Sequence, residues 1–80
     1  MGLPPQPQPA LGEAVRDLRE KRRKISQEEL AHRAGITTGT LSLLERGQTN
    51  PTWATVKAIA AALDVSMGEL ASRADKLERR

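Results

Sequence analysis

Apolar residues recur every three to four positions along most of the chain, a spacing that places them on one face of a helix. Leu11, Val15 and Leu18 define the first such face, and Val56, Ile59 and Leu63 define a later one. No stretch alternates apolar and polar residues, so we expect no strand and an all-α fold. Five helices are predicted, over about 10–23, 27–34, 38–46, 53–63 and 67–78.

Capping residues support these boundaries. A Ser or Thr before a helix accepts a hydrogen bond from a free N–H of the first turn, and such residues precede four of the five helices. A Glu three residues after the Ser, as at Glu29 and Glu69, has the spacing of a capping box. Gly35 and Gly47 are placed to end the second and third helices. The predicted caps are Ser26, Thr37, Thr52 and Ser66.

Proline divides the chain into segments. Four of the five prolines lie within residues 1–9, which predicts a disordered Pro-rich arm. Residues 10–72 are predicted to form the folded domain, and residues 73–80 are its basic end within helix five.

Composition excludes several kinds of site. The 80 residues contain no Cys and a single His, too few for a zinc centre or a thiol nucleophile. No paired nucleophile and base is apparent, and no glycine-rich phosphate loop, so we expect neither an enzyme nor a metal or cofactor. The apolar run 58–63 is much too short to span a bilayer. Trp53, the one aromatic residue, is predicted to pack as a staple over the start of helix four.

Positive charge is concentrated in the first helix. The net charge is +3, but residues 16–24 contain six basic and two acidic side chains. Such a basic block is typical of a nucleic-acid contact. It is equally typical of a solvated helix face, so charge alone leaves both interpretations open.

Residues 26–47, SQEELAHRAGITTGTLSLLERG, predict two short helices joined by a turn that contains Gly35. This is the helix-turn-helix arrangement, whose second helix enters the major groove of DNA. The sequence resembles the xenobiotic-response-element family, which includes lambdoid phage repressors and Cro. The resemblance covers about residues 11–70 and implies a five-helix, lambda-repressor-like DNA-binding domain. Matching residues are SQEELA at 26–31, Gly35-Ile36, Leu41-Ser42, LERG at 44–47, Asn50-Pro51, Ile59-Ala60, Leu63, Val65-Ser66 and Leu70.

The resemblance also implies roles for individual residues. Glu45 corresponds to a semi-buried carboxylate that pairs with an arginine of helix one, which is Arg19 if residues 22–24 carry one extra residue. Base contacts fall on Thr38, Gly39, Ser42 and Leu43. Phosphate contacts fall on Gln27, Thr37, Thr40, Arg46, Asn50 and Thr52. Gln27 also braces helix three, and the position of Trp53 lies beside the DNA backbone.

The recognition helix, about 38–46, departs from the family pattern. Gly39 has no side chain with which to read a base, and Leu43 offers only apolar contact, for example to a thymine methyl group. We therefore expect specificity to depend on DNA shape, water and phosphate positioning. Some assigned residues also have a purely structural interpretation. In that interpretation Gln27 extends the capping of helix two and Thr37 acts only as a cap. Leu43 then packs against a partner and does not contact a base.

The sequence therefore predicts a sequence-specific DNA-binding transcriptional regulator, expected to be a repressor in the prokaryotic cytoplasm and associated with the nucleoid. One recognition helix reads half an operator, so a homodimer on double-stranded DNA is expected. The candidate dimer residues are Leu70, Ala74 and Leu77, which alternatively close the monomer core. Two other functions remain open at this point, each with a protein partner: the antitoxin of a toxin-antitoxin pair and a protein-bridging transcription cofactor.

Overall fold

The computed structural model describes residues 8–79 and contains the five predicted helices, with no strand in that range. The helices are α1 (Pro9–Asp17, continued by a π-helical segment, Leu18–Arg23), α2 (Gln27–Ala34), α3 (Thr38–Glu45), α4 (Trp53–Ala62) and α5 (Met67–Glu78). The all-α, five-helix prediction is confirmed. No helix among residues 8–79 is long and apolar enough to cross a membrane.

The first helix begins at Pro9, which the sequence analysis placed in the arm. Proline suits the first helical position because its missing N–H would have no partner there. Pro9 also lies against the turn after α3, where a Cβ built on Gly47 would come within 2.8 Å of the Pro9 Cα. Residues 1–7 of the predicted arm lie outside the described residues.

The second half of helix one is π-helical over Leu18–Arg23 and ends at Lys24, whose φ of 56° is left-handed. A π-turn accommodates one extra residue within a continuous helix. This segment overlaps residues 22–24, where the family resemblance implied one extra residue if Arg19 is the partner of Glu45. The helix three boundary differs slightly as well, because α3 ends at Glu45 and Arg46 is its C-cap.

Aliphatic side chains from all five helices form the core. Leu18, Leu41 and Leu63 are fully buried, together with residues from α2 and α5. α1 packs against both α5 and α3, and it crosses α3 closely enough that a Cβ on Gly12 would lie 2.0 Å from the Leu44 carbonyl oxygen. The buried apolar set is Ala14, Val15, Leu18, Leu30, Ala31, Leu41, Leu44, Ile59, Ala60, Leu63 and Leu70.

The arginines at the end of helix one bind neighbouring elements of the same chain. Arg22 pairs with Glu69 of α5. Arg23 donates to the Leu63 carbonyl oxygen at 2.7 Å and pairs with Asp64 at 3.2 Å. Two of the six basic side chains of this block therefore hold the end of helix one against the α4–α5 turn and α5. Neither sequence interpretation, nucleic-acid contact or solvated face, anticipated these contacts.

Asp17 joins α1 to α5 on the same side of the molecule. Its carboxylate accepts from Lys21 at 2.9 Å and from Arg73 at 2.5 Å. The hydrogen bond from Lys21, with the nearby positive charges, lowers the pKa of Asp17 below the ordinary value of 3.8. Residues 73–78 thus continue α5 as part of the folded domain.

Candidate nucleic-acid interface

The turn between α2 and α3 is built by a cap and a glycine. Ser26 Oγ accepts a hydrogen bond from the Glu29 N–H at 3.0 Å, so α2 begins as predicted. Gly35 ends α2 with a φ of 71°, in the left-handed region that favours glycine. The Ile36 N–H then donates to the Ala31 carbonyl at 3.0 Å and closes the turn. Together these contacts fix the entry of α3.

The predicted capping boxes are only half formed. At both Ser26 and Ser66 the serine oxygen accepts the expected backbone N–H. The Glu29 carboxylate instead pairs with Arg33 at 2.8 Å, and the Glu69 carboxylate pairs with Arg22. Glu29 is thus paired with an arginine of its own helix, and Glu69 is paired with an arginine of helix one.

Thr37 and Thr40 form a closed pair at the start of α3. The Thr37 hydroxyl accepts from the Thr40 N–H at 3.0 Å and donates to the Thr40 hydroxyl at 2.8 Å. Both residues are exposed. Thr37 is therefore the N-cap of α3, as predicted from its position, and the first turn of α3 contains no acidic residue.

The four residues predicted to contact bases lie on one face of α3. Thr38 and Gly39 are exposed, Ser42 is half-buried, and Leu43 keeps 43% of its surface exposed. The opposite face carries Leu41 and is buried in the core. The helix thus presents small polar groups and one leucine outward, as its spacing predicts.

A buried polar network fixes the orientation of α3. Arg19 binds Glu45 through two hydrogen bonds, of 2.7 and 2.9 Å, and donates to the Ile25 carbonyl at 2.9 Å. The Gln27 side-chain amide donates to the same Glu45 carboxylate at 2.9 Å. Arg19 and Glu45 are each only 7% exposed. The hydrogen bond to Glu45 raises the pKa of Arg19, so the guanidinium stays charged.

This network contains the contact between Gln27 and α3 that the family resemblance implied. The side chain joins the start of α2 to the last residue of α3, Glu45. Three elements, helix one, α2 and α3, therefore meet at one carboxylate. The contact of Gln27 with a phosphate stays a prediction.

The start of α4 repeats the threonine arrangement of α3. Thr52 Oγ1 accepts from the Thr55 N–H at 3.1 Å and donates to the Thr55 hydroxyl at 3.0 Å. The first turn of α4 likewise contains no acidic residue. The N-terminal ends of α3 and α4 therefore both present hydroxyl groups and the positive end of the helix dipole. No carboxylate in either first turn would compete with a bound anion.

The staple predicted for Trp53 is wrong. The side chain is 71% exposed, because Trp53 is the first residue of α4 and precedes the apolar face that begins at Val56. Sequence reasoning could have found this from the spacing, since Trp53 falls outside the apolar repeat. Trp53, exposed directly after the Thr52 cap, is thus a candidate functional residue that the predicted base and phosphate contacts did not include.

The remaining predicted phosphate contacts are also on the surface. Arg46 and Asn50 are both exposed. Arg46 Nε donates to the Ser42 carbonyl at 3.3 Å, so this side chain begins beside the C-terminal end of α3. No group of three or more His, Cys, Asp or Glu residues within 8–79 is placed to bind a metal ion.

Leu70 must be removed from the candidate dimer surface. It is 1% exposed, because it fills the core where α5 packs on the rest of the domain. Ala74 and Leu77 are half-buried and pack against that core. Beside Leu77 the outer side of α5 has a polar groove of about 370 Å³, lined by Glu69, Ser72, Arg73, Lys76 and Leu77.

Comparisons with known proteins agree with this architecture. A model of the helix-turn-helix family HTH_3 matches residues 15–70. An uncharacterized HTH-type transcriptional regulator, y4dJ of Sinorhizobium fredii, is 44% identical over 52 residues, which are 65% of this chain and 68% of y4dJ. The HTH-type transcriptional regulator SinR of Bacillus licheniformis is 36% identical over 69 residues, which are 85% of this chain but only 61% of SinR.

A solved structure shows the same fold. The clp gene regulator ClgR of Corynebacterium glutamicum superposes with a TM-score of 0.83 at 29% identity, covering 90% of this chain and 76% of that chain. The family match includes the turn at Gly35, the whole of α3 and the Arg19–Glu45 network. The chain therefore belongs to the XRE-type helix-turn-helix family of DNA-binding transcriptional regulators.

Proposed function

We propose that this regulator binds specific DNA sequences by placing α3 in the major groove, with Thr38, Gly39, Ser42 and Leu43 at the base edges. The observation that carries the proposal is the exposed outer face of α3 on a helix whose inner side is fixed by the core and by Glu45. A preorganised helix binds with a smaller loss of conformational entropy.

Phosphates flank the groove in this arrangement. Free N–H groups at a helix start, together with the helix dipole, favour an anion, and the acid-free starts of α3 and α4 provide two such positions. Trp53 joins the set because its exposed indole N–H is a hydrogen-bond donor beside the Thr52 cap. The proposed phosphate contacts are Gln27, Thr37, Thr40, Arg46, Asn50, Thr52 and Trp53.

A homodimer would place two copies of α3 on half-sites about one helical turn apart. The groove along α5 has half-buried Leu77 beside Ser72 and Lys76, close to half-buried Ala74, and so offers both apolar and polar groups for a second copy. Occupying an operator in this way would block transcription, so we propose a repressor that acts on cytoplasmic DNA. Light scattering with and without the operator tests the assembly, and a monomer in both conditions contradicts it.

Selection of binding sites from random duplex DNA tests the proposed function. We expect enrichment of one symmetric sequence, with an affinity that falls steeply as salt rises because phosphate contacts release counterions. Equal binding of all duplexes, or no binding at low salt, would overturn sequence-specific DNA recognition.

Two variants separate positioning from base reading. Gln27→Ala removes a phosphate contact and a brace of α3, so it should weaken all duplexes by a similar factor. Ser42→Ala removes a hydroxyl from the base-facing surface, so it should change the order of preference among duplexes. Affinities for the selected site and several single-base variants distinguish these patterns, and the reverse assignment would contradict the proposed roles.

A further inference from the structure

Gly39 is a glycine that the fold itself does not require. It is the second residue of α3 and is exposed. A Cβ built there would have one neighbour, Thr37 Oγ1 at 4.0 Å, and the φ of Gly39 is not in the left-handed region. Glycine in a helix is disfavoured relative to alanine because its backbone loses more freedom on folding.

Three other described glycines differ in this respect, whereas Gly68 resembles Gly39. Gly12 lies against the Leu44 carbonyl, and Gly35 and Gly47 adopt positive φ values. Packing or backbone conformation thus explains these three residues. At Gly39 the space that a side chain would fill is open to the surface that faces DNA in the proposed function.

Leu43 borders that open space. It lies four residues after Gly39, and residues at this spacing are neighbours along a helix face. Side chains of helical residues lean toward the N-terminus, so Leu43 leans over the turn that contains Gly39. Its exposed apolar surface lies on the same helix face as Gly39, and no Leu43 side-chain atom comes within 4 Å of a Cβ built on Gly39, so the space between them is unfilled.

We propose that Gly39 and Leu43 together form a seat for the 5-methyl group of one thymine in each half-site. This inference rests on the proposed function, because it assumes that α3 lies in the major groove. The thymine methyl is the apolar group that a base pair presents there, and apolar side chains recognise it. This seat gives α3 a specific base contact without a bidentate polar side chain. The methyl group would occupy the space left open at Gly39 and contact the apolar side chain of Leu43.

Replacing thymine by deoxyuracil, one position at a time, in the duplex selected by the wild-type chain tests this directly, because it removes only the methyl group. One position per half-site should show an affinity loss of about fourfold, the effect of burying one methyl group. Gly39→Ala fills the seat and Leu43→Ala removes its wall. Both variants should bind the thymine and deoxyuracil duplexes at that position equally.

Gly68→Ala is the matched control. Gly68 is the second residue of α5, and a Cβ there would likewise meet only its cap, Ser66 Oγ at 3.8 Å. Both glycine-to-alanine variants should raise the melting temperature, which shows that each is folded. Gly68→Ala should keep the wild-type preference for thymine.

The outcomes separate the two proposals. A selected duplex with no thymine preference at any position, or a thymine preference that survives in Gly39→Ala, overturns the seat while leaving DNA recognition intact. A selection that enriches no duplex overturns the proposed function and the seat with it.

Discussion

At the scale of single residues, polar side chains carry much of the organisation of this domain. Arg19 and Gln27 both donate hydrogen bonds to the buried carboxylate of Glu45. Glu45 is the last residue of α3, the helix proposed to read DNA. The family resemblance implied the Arg19–Glu45 pair. It did not imply that Gln27 would bind the same carboxylate, since that contact depends on how α2 crosses α3.

Breaking this network should be costly. Glu45→Ala leaves the buried Arg19 guanidinium with only half-exposed Glu20, at 3.6 Å, as an ion-pair partner, so we expect a loss of about 3 kcal/mol in the free energy of unfolding. Arg33→Ala, which breaks the exposed Glu29–Arg33 pair of α2, should cost under about 1 kcal/mol. Urea unfolding of both variants measures the difference. Similar losses would contradict a structural role for the buried pair.

Residue types alone did not locate Trp53. Tryptophan has a large apolar surface that is usually buried, and this is the basis for predicting that Trp53 packs over the start of helix four. Its position at the first residue of α4, before the apolar repeat, leaves it 71% exposed. Here the register of the helix decides the outcome, and the hydrophobicity of the side chain does not.

At the scale of helices, caps and apolar spacing predicted where most elements begin and end. Ser26, Thr37, Thr52 and Ser66 all accept the N–H that their position predicts. The π-helical end of helix one had no local signal. Its side chains bind distant partners, since Arg19 binds Glu45 and Arg23 binds the Leu63 carbonyl at the α4–α5 turn.

The ion pairs of Asp17 should make the α1–α5 contact sensitive to acid. The folded state lowers the pKa of Asp17, so its stabilisation is present above the ordinary value of 3.8 and is lost as pH falls through the lower folded value. Asp17→Asn lacks this contribution. At neutral pH the free energy of unfolding of the wild-type chain should therefore be larger than that of the variant, by up to about 1 kcal/mol. This difference should shrink below about pH 4.

Thermal unfolding of the two chains across this pH range measures the effect. Asp75→Asn is the control at neutral pH, because the Asp75–Arg79 pair lies within α5 and joins no second element. A gap between wild type and Asp17→Asn that grows as pH falls would contradict the sign of the pKa shift.

At the scale of the whole molecule, the charge pattern separates a structural side from the proposed DNA side. The sequence left open whether the basic block of residues 16–24 is a nucleic-acid contact or a solvated helix face, yet Arg22 and Arg23 bind acidic or carbonyl groups of the same chain. Sequence charge could not show this, because Glu69 lies 47 residues from Arg22. The exposed face of α3 carries little charge before Arg46.

Salt dependence should distinguish the two groups of arginines. Arg46→Gln should reduce the slope of log affinity against log salt by about one for each bound protomer, the value for one lost phosphate contact. Arg22→Gln should leave that slope unchanged and lower stability slightly, since its partner is Glu69. If Arg22→Gln changes the slope and Arg46→Gln does not, the basic block is the DNA contact after all.

Amide chemical shifts measured while the selected duplex is added to the labelled protein test the central claim most directly. If α3 enters the major groove, the largest changes fall on residues 37–46, with a second group at 52–55 where α4 begins. The outer face of α5 and the Arg22–Glu69 contact should change little unless a second copy binds there. Changes confined to helix one and α5, with α3 unaffected, would contradict the account.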